Sequence, residues 1–128
     1  MILRIDFDSE VPIYMQIKNQ IVEGIAKGTI EDGEELPSVR SLADDIGINM
    51  HTVNKAYNLL KEDGYVKIDR RRGAIVSLSL CVSNEKFQQE FRNNLEYYAA
   101  ECFNRGIDKE DIIKSIEDIF KDFRRGEQ

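Results

Sequence analysis

Apolar residues recur at three- and four-residue steps in five stretches of the chain and at every second position in a sixth. Ile13, Ile17, Ile21 and Ile25, with Tyr14 and Val22 beside them, make the first stripe, which runs to Gly28. Ser9 and Pro12 precede it, and proline is tolerated in a first helical turn because that turn has no N–H partner to lose. Val39, Leu42, Ala43 and Ile46 form a second stripe, capped by Ser38 and ended by Gly47, whose backbone is free to take a positive φ. Asn49 is placed to cap a third helix carrying Val53, Ala56, Tyr57 and Leu60, which Gly64 stops. The link GTIEDGEELP between the first two helices contains the turn pair Asp32-Gly33 and the breaker Pro37.

The period then falls to two. YVKID and AIVSLSL read as strands around RRRG, a hairpin with Arg70, Arg71 and Arg72 near its tip. ILRIDF at residues 2–7 alternates weakly, as a short strand or an extended arm would. From Ser83 the helical period returns. Phe87, Phe91, Leu95, Tyr98 and Cys102 share one stripe up to Gly106; Ile112, Ile116, Ile119 and Phe123 share another on a helix begun by Asp108. The predicted fold class is mainly α with a small β-hairpin, divided into residues 1–80 and residues 81–128.

Composition narrows the function. With 128 residues, 41% apolar and 33% charged, the chain suits one small globular domain with an appendage. No apolar run approaches the ~20 residues of a membrane helix, and MILRIDFDSE lacks the basic and apolar regions of a secretory signal. Cys81 and Cys102, without CxxC spacing, fit a reducing cytoplasm better than a disulfide. Both lie in apolar patterns, which suggests inert rather than redox-active thiols. One histidine and two scattered cysteines make a zinc site an unsuitable expectation. No GxSxG, Cys–His pair or glycine-rich phosphate loop is present, and Asp44-Asp45 point apart on a helix, so neither catalysis nor a cofactor is expected. The net charge of -6 disfavours indiscriminate polyanion binding, yet residues 36–80 carry 7 basic against 5 acidic side chains, the only net-positive third.

That third also holds the one constellation with a specific geometry. A helix-turn-helix needs a small residue on its first helix, a glycine corner and a branched plug on its second; Ala43, Gly47 and Val53 have that order and spacing. The outward face of the third helix is then Met50, His51, Asn54, Lys55 and Asn58, a face the major groove, ~12 Å wide, can admit. Such a face is also what an ordinary solvated helix presents. Arg40 beside the Ser38 cap, whose backbone N–H groups suit a phosphate, and the RRRG hairpin following the third helix as a wing tilt the reading toward DNA. The lone His51 is read as a polar DNA contact in preference to a pH sensor or a plain surface residue.

From Pro12 to Val76, PIYMQIKNQIVEGIAKGTIEDGEELPSVRSLA and INMHTVNKAYNLLKEDGYV resemble the winged-helix domain of the GntR family of bacterial transcription regulators, and LPSVRSLA with TVNKAY is similar to its YtrA subfamily in particular. The resemblance implies that Arg40 meets a phosphate or a guanine edge. Asn49, Met50, His51, Thr52, Asn54 and Lys55 fall where the family touches DNA, with Arg72 and Gly73 at the wing tip. Relatives often carry arginine where this chain has Met50 and Asn54; here no bidentate arginine–guanine pair forms, Asn54 suits adenine and Met50 a thymine methyl.

Residues 81–128 hold seven of the eleven aromatic side chains. Two helices cannot bury that many on each other, so the surplus must meet the winged part or a second chain. The resemblance implies a two-helix dimerisation unit, with Phe87, Phe91, Leu95, Tyr98, Cys102, Ile112, Ile116, Ile119 and Phe123 at the interface, and a monomer with both helices folded back is the other option. The functional expectation is a dimeric repressor on a palindromic DNA operator near its own and transporter genes, with any small-molecule effector unspecified. A winged helix that grips a protein instead of DNA is the alternative, and the acidic total favours it slightly.

Overall fold

The computed structural model describes residues 1–80 and 84–124. Five helices and one hairpin follow in order: α1 (Ile13–Lys27), α2 (Val39–Ile46), α3 (Met50–Glu62), β1 (Val66–Asp69), β2 (Gly73–Val76), α4 (Glu85–Asn104) and α5 (Lys109–Phe120). They fall into two compact units, Met1–Leu80 together with Arg124, and a second within Cys81–Phe123.

In the first unit the three helical stripes converge. Ile17, Ile21, Ile25, Val53, Ala56 and Leu60 are completely shielded, and α1 and α2 both pack on α3. Burying each of the isoleucines, Val53 and Leu60 contributes about 1.5–3 kcal/mol, which helps to offset the entropy of ordering so short a chain. Ala43 at 1% exposure leaves α2 free to approach α3. Gly47 turns the corner at φ 80°, and its N–H, like that of Ile48, returns to the Ala43 carbonyl. The caps form as the sequence suggests. Ser38 accepts from the Ser41 N–H at 3.0 Å, and Asn49 from the His51 N–H at 2.7 Å. At α1 the cap position is Pro12, which makes no side-chain bond, while Ser9 turns the approach by accepting from the Val11 N–H.

Residues 2–7 are an extended arm, not a strand. Its partner is a pair of side chains. Gln20 exchanges hydrogen bonds with the Arg4 backbone at 2.8 and 2.7 Å, and Gln16 does the same with Asp6 at 2.9 Å in each direction. Glutamines one helical turn apart thus imitate a neighbouring strand, and Leu3 and Ile5 turn in against the core.

The hairpin is shorter than the sequence suggests, pairing Val66 with Val76 and Asp69 with Gly73. A third segment joins it. Gly33 N–H donates to Val76 O at 2.7 Å, Val76 N–H to Glu34 O and Leu36 N–H to Ala74 O, both at 2.9 Å, so residues 33–36 of the α1–α2 link line the free edge of β2.

The second unit is built differently. Neither α4 nor α5 has a buried residue, and the two helices make little contact with each other. Asn84 caps α4 by accepting from the Phe87 N–H, and Asp108 precedes α5 without a side-chain cap. Phe123 corrects the stripe expected of α5. The helix ends at Phe120, a turn follows, and Phe123 sits half-buried beyond it with its ring 5.2 Å from that of Phe120. Cys102 is a free, half-buried thiol; Cys81 and Ser83 lie outside the described residues. No helix among the described residues is long and apolar enough to cross a membrane, and no cluster among them has the makings of a metal site.

Candidate nucleic-acid interface

Two helix starts meet at the surface of the first unit. The first turn of α2 brings Ser38, Val39 and Arg40; the first turns of α3 bring Asn49 through Lys55. Between them lies an open hollow of about 590 Å³ lined by Val39, Asn49, Met50, His51 and Asn54. The Asn49 oxygen is committed to its cap, which leaves its NH₂ as the group it can offer a ligand. Thr52 is half-buried and its N–H turns back to the Asn49 carbonyl, so it offers less surface than its neighbours. Met50, His51 and Asn54 are exposed.

Arg40 projects into solvent with no ion pair among the described residues. Lys55 is exposed but not idle. Its ammonium sits 4.0 Å above the centre of the Tyr14 ring on α1, a cation–π contact between the two helices. Tyr57, facing the other way, fixes the frame. Its hydroxyl donates to the Pro37 carbonyl at 2.7 Å, tying α3 to the residue just before the α2 cap. Burial pushes that phenol well above its ordinary value, so it stays a donor across the usual pH range.

The wing tip spans Arg70, Arg71 and Arg72, with Gly73 at φ 78° closing the turn. Asp69 organises it. One carboxylate oxygen accepts from the Arg71 N–H at 2.8 Å and the Arg72 N–H at 3.1 Å, and these two bonds, before any nearby charge, hold the Asp69 carboxyl below its usual range. The side chains of Arg70 and Arg71 extend into solvent. Arg72 differs, because its Nε donates to Glu35 at 2.7 Å, an exposed pair that raises the guanidinium's pKa further.

Nearly every sequence-derived DNA residue therefore lies exposed on the first unit, in two groups: the first turns of α2 and α3, and the wing tip. Sequence reasoning missed Tyr14, Glu35, Val39 as part of the hollow, and Asp69. Tyr14 and Val39 were hidden because each also falls on a core stripe; the carboxylates, because their partners are distant in sequence or are backbone groups. The nine residues expected at a dimer interface are all exposed or half-buried, including Phe87 at 59%, Tyr98 at 65% and Ile119 at 54%.

Comparison with known proteins agrees with this geometry. Residues 13–76 match the family model described as bacterial regulatory proteins, gntR family. The chain is 32% identical over 127 residues, 98% of each chain, to the HTH-type transcriptional repressor YtrA of Bacillus subtilis. A crystal structure of a transcriptional antiterminator from Listeria monocytogenes superposes with a TM-score of 0.83 at 30% identity, covering 94% of this chain and 93% of that one. The DNA-binding domain of AraR, solved in complex with operator ORX1, superposes with a TM-score of 0.53 at 26% identity, covering 60% of this chain and 99% of that domain. A winged helix-turn-helix with these relatives has a regulatory rather than a catalytic role, and the chain belongs to the GntR family of DNA-binding transcriptional regulators.

Proposed function

We propose that the chain is a dimeric repressor that reads a two-fold operator with the α2–α3 hollow and braces itself on the backbone with Arg40, Lys55 and the wing arginines. The observation that carries the reading is the state of the α3 face. Asn54 and His51 are exposed and their side chains make no hydrogen bond with any described residue, while Tyr14 and Tyr57 hold the helix that bears them. Ser38 and Arg40 at the α2 start supply phosphate contacts, Asn54 supplies base readout, and Arg70, Arg71, Arg72 and Gly73 follow the adjacent backbone. Dimerisation runs through α4 and α5, whose apolar residues do not cover one another, and two-fold pairing of chains matches two-fold pairing of half-sites. The targets we propose, from the resemblance to the YtrA subfamily alone, are its own operon and neighbouring transporter genes.

The test is a mobility-shift titration on duplexes selected from genomic DNA. The Arg40→Ala, Lys55→Ala double variant should bind more weakly, with its log–log salt slope reduced by about 0.9 for each phosphate it no longer neutralises. Undiminished binding by that variant would overturn the proposal.

A further inference from the structure

The hollow beside α3 has two apolar walls that come from different helices. Val39 opens α2 and Met50 opens α3, the latter keeping 43% of its surface exposed. Asn54 and His51 supply the polar part of the lining, and neither side chain makes a hydrogen bond with any described residue. Asn49 adds only its NH₂, since its oxygen caps the helix. An amide that donates and accepts, set beside an apolar cleft, complements one kind of base edge. Adenine presents an acceptor at N7 with a donor at N6, and the thymine 5-methyl is the one apolar group on the floor of the major groove. Guanine calls for a fork of two donors, and no lining residue is an arginine or lysine.

We propose that the hollow is a specificity site for A·T pairs, in which Val39 and Met50 enclose a thymine methyl while Asn54 reads an adenine of the same or the adjoining pair. The inference rests on the DNA-binding reading and deepens it by naming the base chemistry and by giving Val39 a place in recognition. Val39 is half-buried, so one side of it supports the fold while the other faces the hollow.

Replacing thymine by uracil removes a single methyl and leaves every hydrogen-bonding group in place. Duplexes enriched from a random pool by the full chain are therefore scanned, one thymine at a time. At one position in each half-site, uracil should weaken binding about fourfold, the loss expected for one buried carbon group. In Met50→Ala the thymine and uracil duplexes should bind alike, while circular dichroism and the melting temperature stay those of the parent, because Met50 is exposed. Uracil tolerated at every position, or a uracil penalty undiminished in Met50→Ala, would overturn the proposal. If no duplex is enriched at all, the repressor reading itself falls and takes this site with it.

Discussion

In the core of Met1–Leu80, Ile17, Ile21, Ile25 and Leu60 are sealed from solvent to 0% exposure, whereas Phe103 on α4 keeps 82% and Phe120 on α5 keeps 64% of its surface. Both regions come from amphipathic helices of ordinary length. They differ in what each stripe faces. In the first unit α1 and α2 each lay a stripe against α3, and the hairpin covers what remains. In the second, α4 and α5 scarcely touch, so neither stripe covers the other. The first unit buries a shared core; the second leaves its aromatic side chains exposed, which is what the proposed dimer interface would use.

The largest effect that would break this contrast comes from exchanging the damage. Leu60→Ala empties a site at the centre of the first unit and should destabilise it by about 2–5 kcal/mol in chemical denaturation. Phe103→Ser should leave the melting of that unit nearly unchanged and weaken the proposed dimer, read as a shift toward monomer in sedimentation equilibrium. Equal effects of the two on the first unit's melting would erase the distinction. A smaller effect sharpens it. Tyr57→Phe deletes the clamp on Pro37 and should cost about 1 kcal/mol. Because burial raises the folded-state pKa of this phenol above the unfolded value of about 10, its contribution is complete below that pH and is lost as pH rises beyond it toward the folded value. Parent stability should therefore fall in alkali more steeply than that of Tyr57→Phe. The smallest effect is local. The Asp69 carboxyl is depressed by the Arg71 and Arg72 N–H groups, so the order that it imposes on the wing tip is full above the ordinary carboxylate value of about 3.9 and is lost as pH falls through the lower folded value. Protection of the Arg71 and Arg72 amides, corrected for the intrinsic pH dependence of exchange, should fall there, and in Asp69→Ala at neutral pH, with the melting temperature unmoved.

What the sequence revealed follows from what periodicity can encode. The stripes of α1, α2 and α3, the Ser38 and Asn49 caps and the Gly47 corner were legible because each is a local rule. The strap on the N-terminal arm was not, because Gln16 and Gln20 sit on a polar face where glutamine is unremarkable. DGEEL reads as a loop, yet it pairs with β2, because edge pairing depends on backbone groups that no side-chain pattern announces. Val39 looked like a core residue and is only half one. The stripes of α4 and α5 showed that a surface wants cover but could not show that the two helices fail to cover each other.

The pairing of residues 33–36 with β2 changes what the α1–α2 connection is. Loops usually accept extra residues cheaply, since closure entropy grows slowly with length. Here three backbone hydrogen bonds anchor the segment to the hairpin, so an insertion after Leu36 would bulge toward the α2 cap, while one before Gly33 would be absorbed upstream. Neighbouring sites in one short stretch should thus differ sharply in their tolerance of added length, and that asymmetry is a property of stitching, not of sequence.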